Sequence, residues 1–352
     1  MVRGRLSGLL AAATAALVVA VSCTPPPSGS DGGGGGGSGV VTFDAGETSA
    51  AVRSEPLFPS FAIRPAGTAR GRLAVLFNGT GAGPLALSKL GNTLAADGFH
   101  VIGLRYESAV GTVAACPGSV RFSDPDCHRR FRGEVVHGAG VVDPDGDSHD
   151  HAAVNVSAGN SVVHRLEAHL EYLVGRFPDA GWEQFQVRSG GSCVVDPTYG
   201  ACRVRWDRVV ALGHSQGAGV ALYLAKHHGL DRVGMLSGAY DAFAAGGGTF
   251  VPAPWVAEGG FEVPASRIAT FSHVNDPEIG FHRAVANAVG IPGPEVQVTT
   301  SSRPYGNRGR LVTNAPPACL VDSAPSHNST ATDLCAPVAV NRPVWRYLAT
   351  GT

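Results

Sequence analysis

The sequence predicts an α/β fold with a mostly parallel central sheet flanked by helices. From residue 40 onward, short apolar runs rich in β-branched residues alternate with segments of helical periodicity. One of those runs leads directly into a Gly-x-Ser-x-Gly sequence, after which a helical pattern begins at once. Strands separated by helices form parallel sheets that are covered on both faces. Of the 352 residues, roughly three hundred remain after an N-terminal leader and tether, which suits one domain of this class.

The N-terminus has the composition of an export signal. A positively charged start precedes an apolar stretch over residues 9–21, which is too short to span a bilayer. Ala20-Val21-Ser22-Cys23 resembles a bacterial lipoprotein box, so we expect a signal peptide over residues 1–22 and a lipidated Cys23. Ordinary cleavage near Ser22 without lipidation is the alternative.

A Pro/Gly/Ser-rich segment over residues 23–39 follows the leader and cannot bury a core, so we predict a flexible tether there. We expect residues 40–352 to form one folded domain. The formal net charge is -1 and no basic face is indicated, which disfavours a nucleic-acid partner. We therefore predict an exported protein, either a cell-envelope lipoprotein or a secreted one, that meets the membrane only through its lipid anchor.

The seven cysteines support export. If Cys23 carries lipid, the remaining six fall into close pairs along the chain, and each pair brackets a loop-like stretch rich in Pro, Gly or Asp. Sequential disulfides are therefore favoured among the many connectivities that six cysteines allow, with reduced thiols as the alternative. No pair has the CxxC spacing of a structural zinc site. The predicted disulfides are Cys116–Cys127, Cys193–Cys202 and Cys319–Cys335.

Apolar runs and helical periodicity predict the order of the elements. Between the second predicted strand and the second predicted helix we expect a long polar insertion, residues 107–160, and near residues 251–261 a small lid. The predicted helices are 85–96, 163–177 and 218–227. The predicted strands are 73–77, 101–104, 208–212, 233–236, 268–271 and 296–299.

The strand at 208–212 runs into Gly213-His214-Ser215-Gln216-Gly217. This is the nucleophile-elbow pattern in its strand–turn–helix context. A serine at that position occupies a tight turn that lifts its hydroxyl off the sheet, and side chains at Gly213 and Gly217 would collide with neighbouring backbone. The N-terminus of the helix favours developing negative charge. We therefore predict Ser215 as a nucleophile.

This segment resembles the α/β-hydrolase superfamily of esterases and lipases, and the order of elements over residues 73–348 is similar to it. The chain is most similar to a group of exported bacterial hydrolases with no assigned substrate, in residues 213–219, in Trp206-Asp207 and in the loop around His327. The resemblance implies a serine–acid–histidine triad in that chain order, with an oxyanion hole near the first central strand.

A serine nucleophile needs a base to take its proton, and the base needs an orienting carboxylate. Among the thirteen histidines, His282 and His327 are the downstream candidates. His282 follows Asp276 closely in an apparent helix start, with no strand between them. His327 follows the last predicted strand and lies between Cys319 and Cys335, whose disulfide would hold its loop. We predict His327 as the base.

Three carboxylates compete for the role of the acid. Asp276 lies just past the strand at 268–271, which is the usual position in the family that the chain resembles. Asp241 lies past the preceding strand, where some relatives carry the acid, and Glu278 is a more distant candidate. We predict Asp276.

The oxyanion hole is expected to use two backbone N–H groups. One belongs to Gln216, directly after the nucleophile. The other is assigned to Thr80 in the turn Gly79-Thr80-Gly81, which follows Asn78 where relatives carry a histidine. A phosphate cradle is the competing interpretation of this turn, but no Gly-Lys-Ser/Thr sequence follows it.

An acidic loop also contains groups that can bind cations. Its alternating acids resemble calcium ligands, yet the distal glutamate of an EF-hand is missing. We therefore expect a solvated polar loop, treat His128 and His137 as surface groups, and predict no metal and no cofactor. The loop residues concerned are Asp143, Asp145, Asp147, His149, Asp150 and His151.

These observations predict hydrolysis of a small-molecule or lipid-like carboxylic ester through an acyl-enzyme on Ser215. Acyl transfer to a sugar or alcohol would use the same residues and stays open as an alternative. A non-catalytic binding protein with this fold is a third hypothesis, which the intact set of triad candidates disfavours. The fold alone selects no substrate.

Overall fold

The computed structural model describes residues 39–352. The predicted signal peptide, Cys23 and all but the last residue of the predicted tether lie outside the described residues. Within residues 39–352, no helix is both long enough and apolar enough to cross a membrane.

Thirteen strands occur in the described part of the chain. In chain order they are β1 Val40–Phe43, β2 Ser60–Ile63, β3 Leu73–Phe77, β4 His100–Leu104, β5 Arg188–Ser189, β6 Ser192–Cys193, β7 Val209–His214, β8 Arg232–Leu236, β9 Ala242–Ala244, β10 Phe250–Pro252, β11 Ile268–His273, β12 Val296–Gln297 and β13 Arg310–Thr313.

Nine of these strands form one sheet, in the order β1-β2-β4-β3-β7-β8-β11-β13-β12. The pairs β1–β2 and β2–β4 are antiparallel, and every pair from β4 to β12 in this order is parallel. The pairs β5–β6 and β9–β10 form separate two-stranded ribbons. The predicted α/β fold with a mostly parallel sheet is confirmed.

Helices cover both faces of the sheet. Side chains alternate along β3, so that Leu73, Val75 and Phe77 join one core cluster while Ala74 and Leu76 join the other. The first cluster packs under α3, α4, α5 and α7, and the second under α1 and α9. The α-helices of the described chain are α1 Ser88–Ala96, α2 Thr112–Ala115, α3 Cys127–His137, α4 Val162–Arg176, α5 Gln216–His227, α6 Pro254–Ala257, α7 Ile279–Val289, α8 Pro325–Asn328 and α9 Val338–Thr350.

The strand predictions hold for the centre of the sheet and fail at one edge. The predicted strand at 73–77 is β3, and β4, β7, β8 and β11 differ from their predicted bounds by at most two residues at either end. The predicted last strand shrinks to the two residues of β12, at the sheet edge. The sequence analysis did not predict β13, which lies between β11 and β12 in the sheet. With only four residues, this strand is too short to show a clear hydrophobic pattern.

The predicted polar insertion contains a core helix that the pattern does not show. Nine of the eleven residues of α3 are buried, although the helix is rich in Arg, His and Glu. Its buried charges have partners: Glu134 accepts the N–H groups of His151 and Val156 at 2.6 and 2.8 Å. Hydrogen bonds and ion pairs offset the cost of burying these polar side chains. Hydrophobic periodicity therefore does not reveal such a helix.

The three sequential disulfides are confirmed. Their Cα atoms lie 5.7, 5.6 and 4.4 Å apart in Cys116–Cys127, Cys193–Cys202 and Cys319–Cys335 respectively. Disulfides persist in oxidising compartments, so they indicate a protein that folds outside the cytoplasm.

The segment at 251–261, for which we predict a small lid, contains most of β10 and all of α6. Trp255 at its centre is 1% exposed and packs edge-on against Tyr223 of α5, with ring centroids 5.1 Å apart. The segment is therefore anchored in the core, and its role as a lid stays a prediction.

Candidate active site

Ser215 is the single residue between the end of β7 and the start of α5. Its backbone has φ 55° and ψ -118°, in the region that residues other than glycine rarely adopt. An added Cβ at Gly213 would overlap the carbonyl of Gly217, and one at Gly217 would overlap the carbonyls of Phe77 and Asn78. The two glycines therefore allow the sharp turn that presents the serine.

His327 and Asp276, which are 51 residues apart, form a hydrogen-bonded pair. Nδ1 of His327 lies 2.9 Å from Oδ2 of Asp276, and the other carboxylate oxygen accepts the N–H of Glu278 at 3.0 Å. Burial by itself would raise the pKa of Asp276, but the hydrogen bond and charge of His327 outweigh it and lower the pKa. The acid stays ionised at neutral pH and orients the imidazole so that Nε2 is left as the basic nitrogen.

Tyr240 lies beside this pair, and the sequence analysis does not single it out. Its hydroxyl lies 3.2 Å from Nδ1 of His327 and also faces the side chain of Ser215. Because the Nδ1 proton is directed to Asp276, the tyrosine proton is available to the serine. Among the described residues, Ser215 and His327 make no direct hydrogen bond, an arrangement common in enzymes without bound substrate.

The peptide around His327 is held by two neighbours of the elbow. The Ser237 hydroxyl donates to the carbonyl of His327 at 2.7 Å, and Nε2 of His214 donates to the same carbonyl at 3.3 Å. Burial, together with the charge of His327, lowers the pKa of His214 to about 3. His214 is therefore neutral and acts as a fixed donor, which gives a structural role to the residue between Gly213 and Ser215.

The rival acid, Asp241, has a different partner. Its two oxygens each lie 2.9 Å from a nitrogen of Arg132, and both side chains are fully buried. Arg132 also donates to the carbonyl of Gln216 at 3.0 Å. An added Cβ at Gly219 would overlap this ion pair. Asp241 therefore supports the elbow from beneath and has no contact with the base.

The structure also shows different partners for the alternative base, His282, and the alternative acid, Glu278. His282 lies in α7 and its Nδ1 lies 3.0 Å from the Ser272 hydroxyl, while burial lowers its pKa to about 3. Burial and the charge of Asp276 raise the pKa of Glu278, and its side chain makes no hydrogen bond to His327. Of these candidates, Asp276 and His327 share a hydrogen bond, and His282 lies close to both without a hydrogen bond to either.

The predicted oxyanion turn lies against the nucleophile. The Thr80 hydroxyl donates to Oε1 of Gln216 at 2.8 Å, and a Cβ built on Gly79 would lie 3.1 Å from Cβ of Ser215. Gln216 is the first residue of α5, so its N–H has no acceptor within the helix. Asn78 holds the turn, because its buried amide donates to the carbonyls of Gly79 and Ala82 at 2.9 and 2.7 Å.

The arrangement opens directly to solvent. Ser215 and His327 are partly exposed, and Thr80 is exposed. Larger cavities lie elsewhere, one of about 520 Å³ beside Trp206 and one of about 480 Å³ beside His137. Ser215 and His327 are therefore reached from solvent and not through either of these cavities.

The expectation of a solvated acidic loop is wrong for three of its six named residues, which are buried. Asp145, Asp147 and Asp150 are exposed, as expected for a solvated loop. The buried members are Asp143, His149 and His151, and the supposed surface groups His128 and His137 are buried as well. The sequence does not reveal this burial, because it depends on contacts between distant segments. Asp143, His149 and His137 lie against Tyr223 of α5, and His128 packs against Phe243 of β9.

Comparison with known proteins gives no match, either to a family model or to a curated sequence.

Proposed function

We propose that this protein is an exported serine hydrolase of the α/β-hydrolase type that cleaves carboxylic esters. The observation that carries the proposal is the Asp276–His327 hydrogen bond beside a serine held at positive φ between a strand and a helix. Three residues from separate parts of the chain supply a nucleophile, a base and an orienting acid.

The reaction follows from these positions. The Ser215 hydroxyl attacks the ester carbonyl as Nε2 of His327 accepts its proton, and the N–H groups of Gln216 and Thr80 stabilise the oxyanion. The protonated His327 returns the proton to the leaving alcohol, which departs and leaves an acyl-enzyme. Water, activated by the same base, releases the acid and restores the serine. Asp276 stabilises the imidazolium throughout.

Further features support the α/β-hydrolase type. The residues follow the chain order serine, acid, histidine, and the oxyanion turn follows β3, as in that superfamily. The triad acid follows β11, and the base lies in the short helix α8, which follows β13.

The resemblance of residues 20–23 to a lipoprotein box supports export as a lipid-anchored protein, with simple secretion as the alternative. Mass spectrometry of the mature N-terminus distinguishes the two, because lipidation adds the mass of acyl chains to Cys23. A protein that begins after Ser22 without added mass is secreted.

The test of function uses the purified mature protein and a fluorophosphonate probe, followed by p-nitrophenyl esters of increasing acyl length. We expect covalent labelling of Ser215, located by peptide mapping, and turnover that depends on chain length. Ser215→Ala removes both, whereas the exposed Ser192→Ala retains both. Absence of labelling and turnover in the folded wild-type protein overturns the proposal. Formation of a new ester when an alcohol acceptor is added would identify an acyltransferase instead.

A further inference from the structure

A second cluster of polar side chains lies at the opposite end of α5 from Ser215. The helix begins at Gln216 and ends at His227, which separates the two ends by roughly 18 Å. One nitrogen each of His137 and His227 and one oxygen of Asp143 lie within 4.8 Å of one another. All three residues are buried, and none takes part in the proposed hydrolysis.

The histidines of this cluster have ring nitrogens without partners. His137 is 4% exposed and His227 is 8% exposed. Within the described chain, neither Nε2 of His137 nor Nδ1 of His227 has a hydrogen-bond partner. Buried polar atoms are almost always paired, because an unpaired one loses its hydration without compensation. Nδ1 of His227 faces Asp143, and a ring nitrogen of His137 lies within 4.8 Å of both, so a ligand placed among the three would pair these groups.

The spacing suits a metal ion. Nδ1 of His227 lies 3.7 Å from Oδ2 of Asp143, which is too long for a hydrogen bond. Bonds of about 2.0–2.1 Å to a tetrahedral ion hold the ligand atoms roughly 3.3 Å apart. A shift of a few tenths of an ångström therefore brings these two atoms onto one ion.

Hydrogen bonds from neighbouring groups orient the carboxylate of Asp143, and an ion on Oδ2 would replace the longest of them, which comes from the Tyr223 hydroxyl. Oδ2 lies 2.8 Å from Nε2 of His149 and accepts the Tyr223 hydroxyl at 3.2 Å. Oδ1 accepts the N–H groups of Asp145 and Asp147 at 2.9 and 3.0 Å. The carboxylate is thus fixed by groups outside the three-residue cluster.

A cavity lies beside two of the three residues of this cluster. The cavity of about 480 Å³ beside His137 is also lined by Asp143 and by His228. It provides space for exchange with solvent and for a water molecule as a further ligand.

We propose that His137, Asp143 and His227 bind one divalent transition-metal ion, and that the ion is Zn²⁺. Two imidazoles and one carboxylate, with water in the fourth position, form a donor set that zinc accepts. Calcium is unsuited, because two of the three donors are nitrogen atoms. The ion would join the ends of α3 and α5 to the loop that carries Asp143, and so it stabilises the fold.

Four other clusters of potential metal ligands occur among the described residues, and three of them contain the two cysteines of a disulfide. Cys116, Cys127 and His151 lie close together, but the two cysteines form a disulfide. Asp276, His282 and His327 also lie close together and include the proposed acid and base. A metal bound there would depend on Asp276, and one bound at the end of α5 would not.

The experiment uses the full mature protein, stripped with a chelator and reloaded with Zn²⁺ or Co²⁺. We expect one equivalent of zinc by elemental mass spectrometry, a visible d–d absorption for the cobalt form, and a rise in Tm of roughly 5 °C or more with zinc. His137→Gln and His227→Gln should each lose the bound ion. His228→Gln, a change in the adjacent buried histidine that stacks on Trp206, and Asp276→Asn should keep it.

Two results would overturn the proposal. One is folded wild-type protein that retains less than a tenth of an equivalent of either ion and shows no change in Tm. The other is binding by His227→Gln as tight as that of the wild type. If the histidine variants do not fold, the cobalt spectrum of Asp276→Asn decides the matter, because an ion lost with this substitution lies beside His327 and not at the end of α5.

Discussion

The two ends of α5 carry polar clusters of opposite character. At its start, the carboxylate of Asp276 bonds to His327 and the assembly opens to solvent. At its end, the nitrogens of His137 and His227 are buried without partners among the described residues. A carboxylate hydrogen-bonded to an imidazole is an arrangement suited to proton transfer. Buried nitrogens without hydrogen-bond partners instead indicate a site for a ligand.

One helix, α3, supports both ends. Its Arg132 donates to the carbonyl of Gln216 at the start of α5, and its last residue, His137, lies in the cluster beside His227. The two helices therefore pack side by side along their length. A change at one end should leave the other intact as long as the α3–α5 packing holds.

The largest expected effect comes from removing the nucleophile. Ser215→Ala should lower kcat for ester hydrolysis by about a millionfold, as in other serine hydrolases that lose their nucleophile. The far end of α5 should be unaffected, so zinc content and Tm should match the wild type. Stopped assays with a p-nitrophenyl ester measure the first effect. Turnover within tenfold of the wild type would refute the mechanism.

Asp276→Asn should lower kcat by about four orders of magnitude, because the amide can no longer hold the imidazole in the tautomer that leaves Nε2 basic. The free energy of unfolding should change far less than the activation energy. Steady-state kinetics and urea unfolding of the same preparation separate the two quantities. A mild kinetic effect would remove Asp276 from the triad.

Asp241→Asn should act on stability first. It leaves the fully buried Arg132 without its counter-charge, which costs about 3–5 kcal/mol in comparable ion pairs. Urea unfolding should reveal the loss, while active protein at low temperature keeps a pH–rate profile like that of the wild type. If hydrolysis is lost and stability is kept, Asp241 and not Asp276 is the acid.

Glu167 probes the cavity at the far end of α5. Burial, followed by the charges of Asp196 and Glu171, raises its pKa from 4.5 to about 9. Because the folded pKa is the higher one, ionising this group costs stability as pH rises from 4.5 towards 9. Glu167→Gln should therefore stabilise the protein on the order of 3 kcal/mol at pH 7 and hardly at all at pH 4.

Urea unfolding of Glu167→Gln and the wild type across this pH range gives the comparison. The free-energy gap should widen with pH and then level off above pH 9. A gap that is independent of pH would show that Glu167 is ionised when folded.

The smallest effect is expected from the disulfide that spans the His327 loop. Replacing Cys319 and Cys335 by serine lets this loop sample more conformations, so kcat should fall roughly ten- to hundredfold while KM changes less. The matched control replaces Cys193 and Cys202, which lie on the β5–β6 side of the molecule and away from the site. Reductant should lower the activity of the wild type before it unfolds. Both cysteines recovered as free thiols in active secreted protein would contradict this role.

The sequence predicted the segment that carries Ser215, but it did not predict that Tyr240 and the helix α3 pack around it. Strand β7, the elbow and α5 are contiguous, so a pattern over about twenty residues carries all three. Tyr240 carries no such pattern, because its importance comes only from its contacts with His327 and Ser215. The core helix α3 was missed because its buried charges are paired with groups far along the chain.

By itself, the sequence determined the α/β class, the position of Ser215 and the three disulfides, because each depends on residues that are close in the chain. The sequence favoured Asp276 over Asp241, and only the tertiary structure showed that Asp276 bonds to His327 and Asp241 to Arg132. Both aspartates follow parallel strands that end at the same edge of the sheet, and the choice depends on Arg132, which lies 109 residues from Asp241 in the sequence. The grouping of His137, Asp143 and His227 also became visible only in the tertiary structure. From sequence alone a polar residue is assigned to the surface, because its burial depends on contacts between segments that are distant in the chain.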